Sequence, residues 1–177
     1  EIPPVPGFCI WRGMFTEPLP PHKSEQIVMH VGLPGHPDMG AAYSSVVGAR
    51  AESGLLARIA AIDDAASIEE MLQVTKLRSG KRNINGIEGE EELERLREPN
   101  FMTSYSLLWE TQGAVSDPVQ PKLSLTMIFG ANPSPGGKPI GSSFHEDAVM
   151  TLWDRISSSI RLRRVPVQHD SHAVRAV

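Results

Sequence analysis

The chain has 177 residues and a mass of 19.3 kDa, a length that suits one domain or at most two small ones. Hydrophobic residues make up 40% and charged residues 21%, which excludes collagen-like, low-complexity and strongly disordered chains. Seventeen basic residues against 21 acidic ones leave no excess of cations to neutralise a phosphate backbone or anionic lipid, so nucleic acid is not expected as a partner.

The opening Glu1-Ile-Pro-Pro-Val-Pro6 predicts a linker over residues 1–6, because proline removes backbone donors and favours extended chain. The chain opens without methionine, from which a signal peptide, an upstream domain or both are expected to be missing from it. Phe8 to Phe15 reads as a strand, and its single cysteine, Cys9, lies in an apolar run where a buried thiol is the expected outcome. Ile27 to Leu33 and Ala42 to Val47 read as two more strands, set off by the loops Pro18-Leu-Pro-Pro21 and Leu33-Pro-Gly-His-Pro37. A helix beginning near Ser53 presents Leu55, Leu56, Ile59 and Ile62 at helical spacing and ends around Asp63 and Asp64. Ser67 to Gln73 forms a short further helix, with Ser67 and Glu70 at capping-box spacing.

Asn85-Gly86 predicts a tight hairpin, since both residues tolerate positive φ, and its polar arms Lys81–Ile84 and Ile87–Glu91 place it at a sheet edge. From Phe101 to Glu110, the residues Phe101, Tyr105, Leu107 and Trp109 share one face and Ser104 and Ser106 the other, the pattern of a half-buried strand. Leu123, Leu125, Met127 and Phe129 repeat it, and the turn-rich Gln112 to Pro118 joins the two as an antiparallel pair. The last helix starts at Ser143, capped there with Glu146, and carries Phe144, Ala148, Leu152, Ile156 and Ile160 as a stripe widened by Val149 and Trp153. Arg161, Arg163 and Arg164 suit its C-terminal turn, Pro166 stops it, and residues 166–177 read as a flexible tail. The sum is an α+β fold over residues 7–165: a mostly antiparallel sheet of about six strands with two or three helices packed on it. No run approaches the roughly 20 apolar residues that span a bilayer, so membrane insertion is not expected.

Enzyme motifs fail in turn. His145-Glu146 opens like a helical zinc site, but Val149 stands where the second histidine is needed, and two ligands on one helical face are the point of that motif. Gly80-Lys81 lacks the earlier glycine of a phosphate loop, and Arg82 replaces the hydroxyl that would hold magnesium. No serine sits in a Gly-x-Ser-x-Gly elbow. His169 and His172 in the tail read as solvated. No cofactor or metal is expected. For binding, loops on a rigid scaffold are the candidates. They are Pro34 to Met39 with His36 and Asp38, the loop from Asn132 to Lys138, and the acidic run with Glu88, Glu90 and Glu91, which reads equally as a solvated edge.

Four segments in order resemble the C-terminal domain of the immunity proteins that neutralise lipase effectors of the bacterial type VI secretion system, the fourth lipase-immunity family. They are Gly7-Phe-Cys-Ile10 with Gly13, Leu33-Pro-Gly-His-Pro-Asp38, Leu77 to Glu91, and Leu152-Trp-Asp-Arg-Ile-Ser-Ser-Ser-Ile-Arg161. The shared features are structural: a hairpin at Asn85 and Gly86, and a closing helix carrying Trp153, Asp154, Ile160 and Arg161. The resemblance implies a protein without chemistry of its own, which binds a cognate lipase in the periplasm and blocks substrate access or lid opening. Three other readings compete with it: a non-enzymatic periplasmic or cytosolic adaptor or ligand-binding module of the same fold class, an enzyme built from His36, Asp38 and dispersed polar groups, and a structural subunit whose essential contacts an N-terminal part outside this sequence would carry.

Overall fold

The computed structural model describes residues 8–10, 13–15, 24–48, 52–114, 120–134 and 136–162. The expected linker over 1–6, the loop at Pro18–Pro21, the tail over 166–177 and the burial of the Cys9 side chain lie outside what it describes. A six-stranded antiparallel sheet has the order β3-β4-β8-β7-β6-β5. Its strands are β3 (Glu25–Leu33), β4 (His36–Val47), β5 (Val74–Ile84), β6 (Ile87–Arg97), β7 (Thr103–Glu110) and β8 (Lys122–Phe129). Three helices, α1 (Leu55–Ala65), α2 (Ile68–Gln73) and α3 (Glu146–Ser157), complete an α+β fold. The alternation over 8–15 predicts one strand, but Ile10 pairs with Gly13, and β1 (Phe8–Ile10) and β2 (Gly13–Phe15) form a separate two-stranded sheet. Apolar alternation does not distinguish one strand from two short paired arms.

The core lies on the face covered by α3. Leu107 and Trp109 of β7 pair with Met127 and Leu125 of β8, and all four are buried, as are Leu93 of β6 and Phe129. Onto this layer α3 lowers Val149 and Trp153, neither exposed at all, with Phe144, Leu152 and Ile156 around them. Each such side chain contributes roughly 1.5–3 kcal/mol. Trp109 fits because Gly89 on the neighbouring strand has no side chain: a Cβ there would stand 2.5 Å from the indole Nε1. That nitrogen donates to the Arg82 carbonyl at 3.2 Å.

Asn85 and Gly86 take φ of 51° and 87°, the paired positive values of a tight hairpin turn, and the arms run the full length of β5 and β6, far beyond 81–91. Of the two arms, β5 lies at an edge of the sheet, whereas β6 pairs on both sides. Asn85 Nδ2 also donates to the carbonyls of Ser158 (2.9 Å) and Ile160 (2.7 Å), tying the hairpin tip to the end of α3.

Several boundaries differ from the sequence reading. β4 starts at His36, so the loop from Leu33 to Pro37 shrinks to a turn at Pro34 and Gly35, where Gly35 takes φ 81°. α3 starts at Glu146 after His145, not at Ser143, because the Ser143 amide and hydroxyl engage Asp38 and His36 and the Glu146 carboxylate turns to Arg95 at 2.9 Å. It ends at Ser157, before Ile160 and Arg161. Ser157 Oγ donates to the Trp153 carbonyl (2.6 Å) and Ser159 Oγ to that of Ile156 (2.6 Å), local bonds that compete with continued helix. Phe101 is not a strand residue: it ends the turn before β7, with φ 64°. The capping box at Ser67 and Glu70 is present as read.

Candidate functional site

The register divides the candidate residues between two ends of the sheet. Met39 faces Phe129 and Tyr105 faces Phe129 in turn, so the β3–β4 turn, the segment after β8 and the β6–β7 turn share one end. His36, Asp38, Asn132 and Lys138 belong there. Ile84 pairs with Ile87 at the other end, which carries Asn85, Gly86 and Glu88.

At the first end the loops are cross-tied. Asp38 is 3% exposed; its Oδ2 accepts from the Ser143 amide at 2.9 Å, and its carbonyl accepts from the Ala131 amide at 3.1 Å. Burial pushes the Asp38 carboxyl up, but the hydrogen bonds from Ser143 and nearby backbone outweigh it and hold the group below its ordinary value. His36 Nδ1 lies 2.8 Å from Ser143 Oγ, and its ring rests 4.3 Å from that of Phe144. Asn132 braces its own loop: Nδ2 donates to the Lys138 carbonyl (2.8 Å) and Oδ1 accepts from the Ser134 amide (2.9 Å). Asn100 Nδ2 donates to the Pro139 carbonyl at 2.7 Å and the Ser142 amide to the Thr103 carbonyl at 2.8 Å, which locks the β6–β7 turn to the same loop. Lys138 stays exposed.

The acidic run is not the solvated edge that its composition suggests. Glu91 is 4% exposed, and its Oε1 stands 2.6 Å from Arg78 Nε. That contact is an ion pair outside hydrogen-bond alignment. Glu91 Oε2 takes Arg82 Nη1 at 2.6 Å and the Trp153 indole N–H at 3.2 Å. Asp154 of α3 closes the cluster, 2.6 Å from Arg78 Nη2; this hydrogen bond above all holds the Asp154 carboxyl low and raises Arg78. Glu91 and Asp154 therefore clamp α3 to the sheet. Glu90 points to the opposite face, where its Oε2 accepts the Leu56 amide at 3.0 Å and caps the first turn of α1. Glu92 pairs with Lys76 at 3.0 Å, and exposed Glu88 bonds Asn83. Burial and then Glu92 raise the half-buried Glu94.

Among the described residues no group of three or more His, Cys, Asp or Glu is placed to hold a metal ion, and no helix is long and apolar enough to cross a membrane. A cavity of about 680 Å³ lies at the hairpin end, lined in part by Lys81, Ile87, Gln112 and Leu123. Sequence reasoning missed the Phe101 turn; Pro99-Asn100, a common turn pair, was the available signal.

A search of curated protein sequences finds no match. Among solved structures, the chain is similar to the apo immunity protein TplEi of the type VI secretion system from Pseudomonas aeruginosa, at 27% identity and a TM-score of 0.73, covering 92% of this chain and 52% of that one. It is equally similar to TplEi complexed with an "L" peptide, at 27% identity and TM-score 0.73, with 92% and 56% covered. A chain of the Tle4–Tli4 complex matches at 26% identity and TM-score 0.72, over 92% of this chain and 53% of that one. The chain thus spans about half the length of the structures it matches. Residues 1–165 match the family described as the Tle cognate immunity protein 4 C-terminal domain, and the chain belongs to that family.

Proposed function

We propose that this chain serves an immunity protein that binds a cognate lipase effector of a type VI secretion system in the periplasm and neutralises it without chemistry of its own. On this reading residues 7–165 act as one unit, and inhibition works by blocking substrate access or lid opening. The observation that carries the proposal is the likeness, at 26% identity over 92% of the chain, to a chain of a solved Tle4–Tli4 complex. The architecture suits the task. An inhibitor needs a surface that holds its shape before contact, because loops ordered only on binding subtract from affinity. Here three connections at one end of the sheet are hydrogen-bonded to one another through Asp38, Ser143, Asn100 and Thr103.

The test is rescue. The lipase encoded beside this gene is expressed in a bacterial periplasm with and without the full-length version of this protein directed there. Restored growth with a co-purifying complex is expected. Killing that continues regardless, with no complex, would refute the reading for that lipase.

A further inference from the structure

The β6–β7 turn holds its aromatic residue in a left-handed conformation without burying it. The Phe101 amide donates to the Glu98 carbonyl at 2.8 Å and the Glu98 amide to the Met102 carbonyl at 2.9 Å, so the turn closes and then places Phe101 at φ 64°. Glycine or asparagine ordinarily fills such a position, and a bulky L-residue adopts it only under constraint. No burial compensates: Phe101 is 78% exposed. The Asn100 side chain supplies the constraint, tying the turn to the Pro139 carbonyl outside it while its Oδ1 accepts the Met102 amide within it (3.2 Å). A strained, rigid and exposed ring fits a group held ready for a partner.

Its surroundings specify that partner's chemistry. Met102 and Ile140 stand exposed beside the turn, with Met102 lying over Gly141. The Arg97 guanidinium stacks 5.6 Å from the ring centre. Arg97 has no carboxylate partner among the described residues, nor does Lys138, next to the Pro139 that Asn100 holds. Arg58, Lys76, Arg78, Arg82, Arg95 and Lys122 are ion-paired. Lys81, Arg155 and Arg161 also have no carboxylate partner among the described residues, but they lie on the hairpin, on α3 and just beyond α3, not at this turn. Arg97 also lines a groove of about 410 Å³ bordered by Leu72 and Glu146. An apolar knob flanked by unpaired cations complements an apolar socket rimmed by carboxylates.

We propose that Phe101 is a preformed anchor that inserts into a carboxylate-rimmed apolar socket on the effector, with Arg97 and Lys138 meeting the rim. This rests on the effector-binding reading above. The two are separable in one experiment, with full-length protein and the purified lipase encoded beside its gene. Phe101→Gly relieves the φ constraint while deleting the anchor, so its thermal midpoint should stay unchanged or rise by up to about 3 °C. Its affinity should fall by about 30-fold or more, the range of an aromatic hot spot. Arg97→Glu should slow association and reverse its salt dependence. Wild-type affinity retained within about threefold by Phe101→Gly would overturn the anchor and leave effector binding standing. So would a wild-type dimer that Phe101→Gly dissociates without change in lipase affinity, which assigns the ring to a second copy. No wild-type complex at all would instead refute the effector reading itself, and the anchor with it.

Discussion

Replacing Glu91 by alanine should destabilise the protein by roughly 3 kcal/mol while leaving its outer surface unchanged. The magnitude follows from what the substitution strands. Arg82, 17% exposed, loses a 2.6 Å partner, and the fully buried Trp153 indole loses its acceptor. Breaking a shielded ion pair by removing one partner costs about 3–5 kcal/mol, and an unsatisfied buried donor about 1–3. Arg78 adds little, because at 36% exposure water screens it and Asp154 remains beside it. Arg82 keeps Asp154 at 3.2 Å and the Ser157 hydroxyl at 2.9 Å, which brings the sum to the lower end of the ion-pair range. Urea unfolding followed by far-ultraviolet circular dichroism measures the loss, with Glu88→Ala as the exposed control expected to stay within about 0.5 kcal/mol. A Glu91→Ala protein that unfolds within about 1 kcal/mol of wild type, yet no longer holds the lipase, would refute the clamp and return Glu91 to the binding surface.

Three further outcomes follow from the same geometry. Asp38→Asn should cost about 1.5–3 kcal/mol at neutral pH through the Ser143 amide. Because the folded Asp38 carboxyl is held low, its contribution is present above the unfolded value of about 3.9 and fades as pH falls through the folded one, so wild type and variant should converge in acid denaturation below about pH 4. Glu94→Gln should raise the thermal midpoint at pH 7: the folded carboxyl is raised, so its contribution is favourable only below the unfolded value and is lost as pH rises, and the gain should vanish near pH 4. Gly89→Ala should cost about 1–3 kcal/mol and shift tryptophan fluorescence, since the new Cβ stands 2.5 Å from a fully buried indole; a neutral result would mean that Trp109 has room to move.

The fold class was legible because its strongest signals are local. Period-two alternation located β7 and β8, the stripe through Val149 and Trp153 located α3, and Asn85-Gly86 located the hairpin. The interface candidates were harder to read because burial depends on the partner strand. Glu90 and Glu91 are neighbours in sequence, but the pleat sends one to α1 and the other to α3, and only the cations on β5 and the indole of α3 make a buried Glu91 tolerable. Ser143 was misread for a similar reason: its capping spacing is genuine, but Asp38, 105 positions away, takes its amide. By its hydrophobicity and its parity with Tyr105, Phe101 reads as part of the apolar face of that strand. The turn from Glu98 ends that parity two residues before β7 begins.

The Glu91 clamp and the proposed Phe101 anchor occupy separate parts of this sheet, and the separation has a measurable consequence. Glu91 and Arg97 stand six residues apart on β6, about 20 Å along the strand. The clamp ties α3 to the hairpin half, whereas the turn carrying Phe101 is held by Asn100 and the segment after β8, with no residue shared between them. Perturbations so far apart without common partners add. In the double variant Glu91→Ala, Phe101→Gly, the loss of stability should therefore be the sum of the two single changes within about 0.5 kcal/mol. The loss of affinity, measured on folded protein, should be that of Phe101→Gly alone. A double variant that departs from both sums would mean that the α3 clamp sets the pose of the anchor, and that the rigid end of the sheet depends on the helix packed across its face.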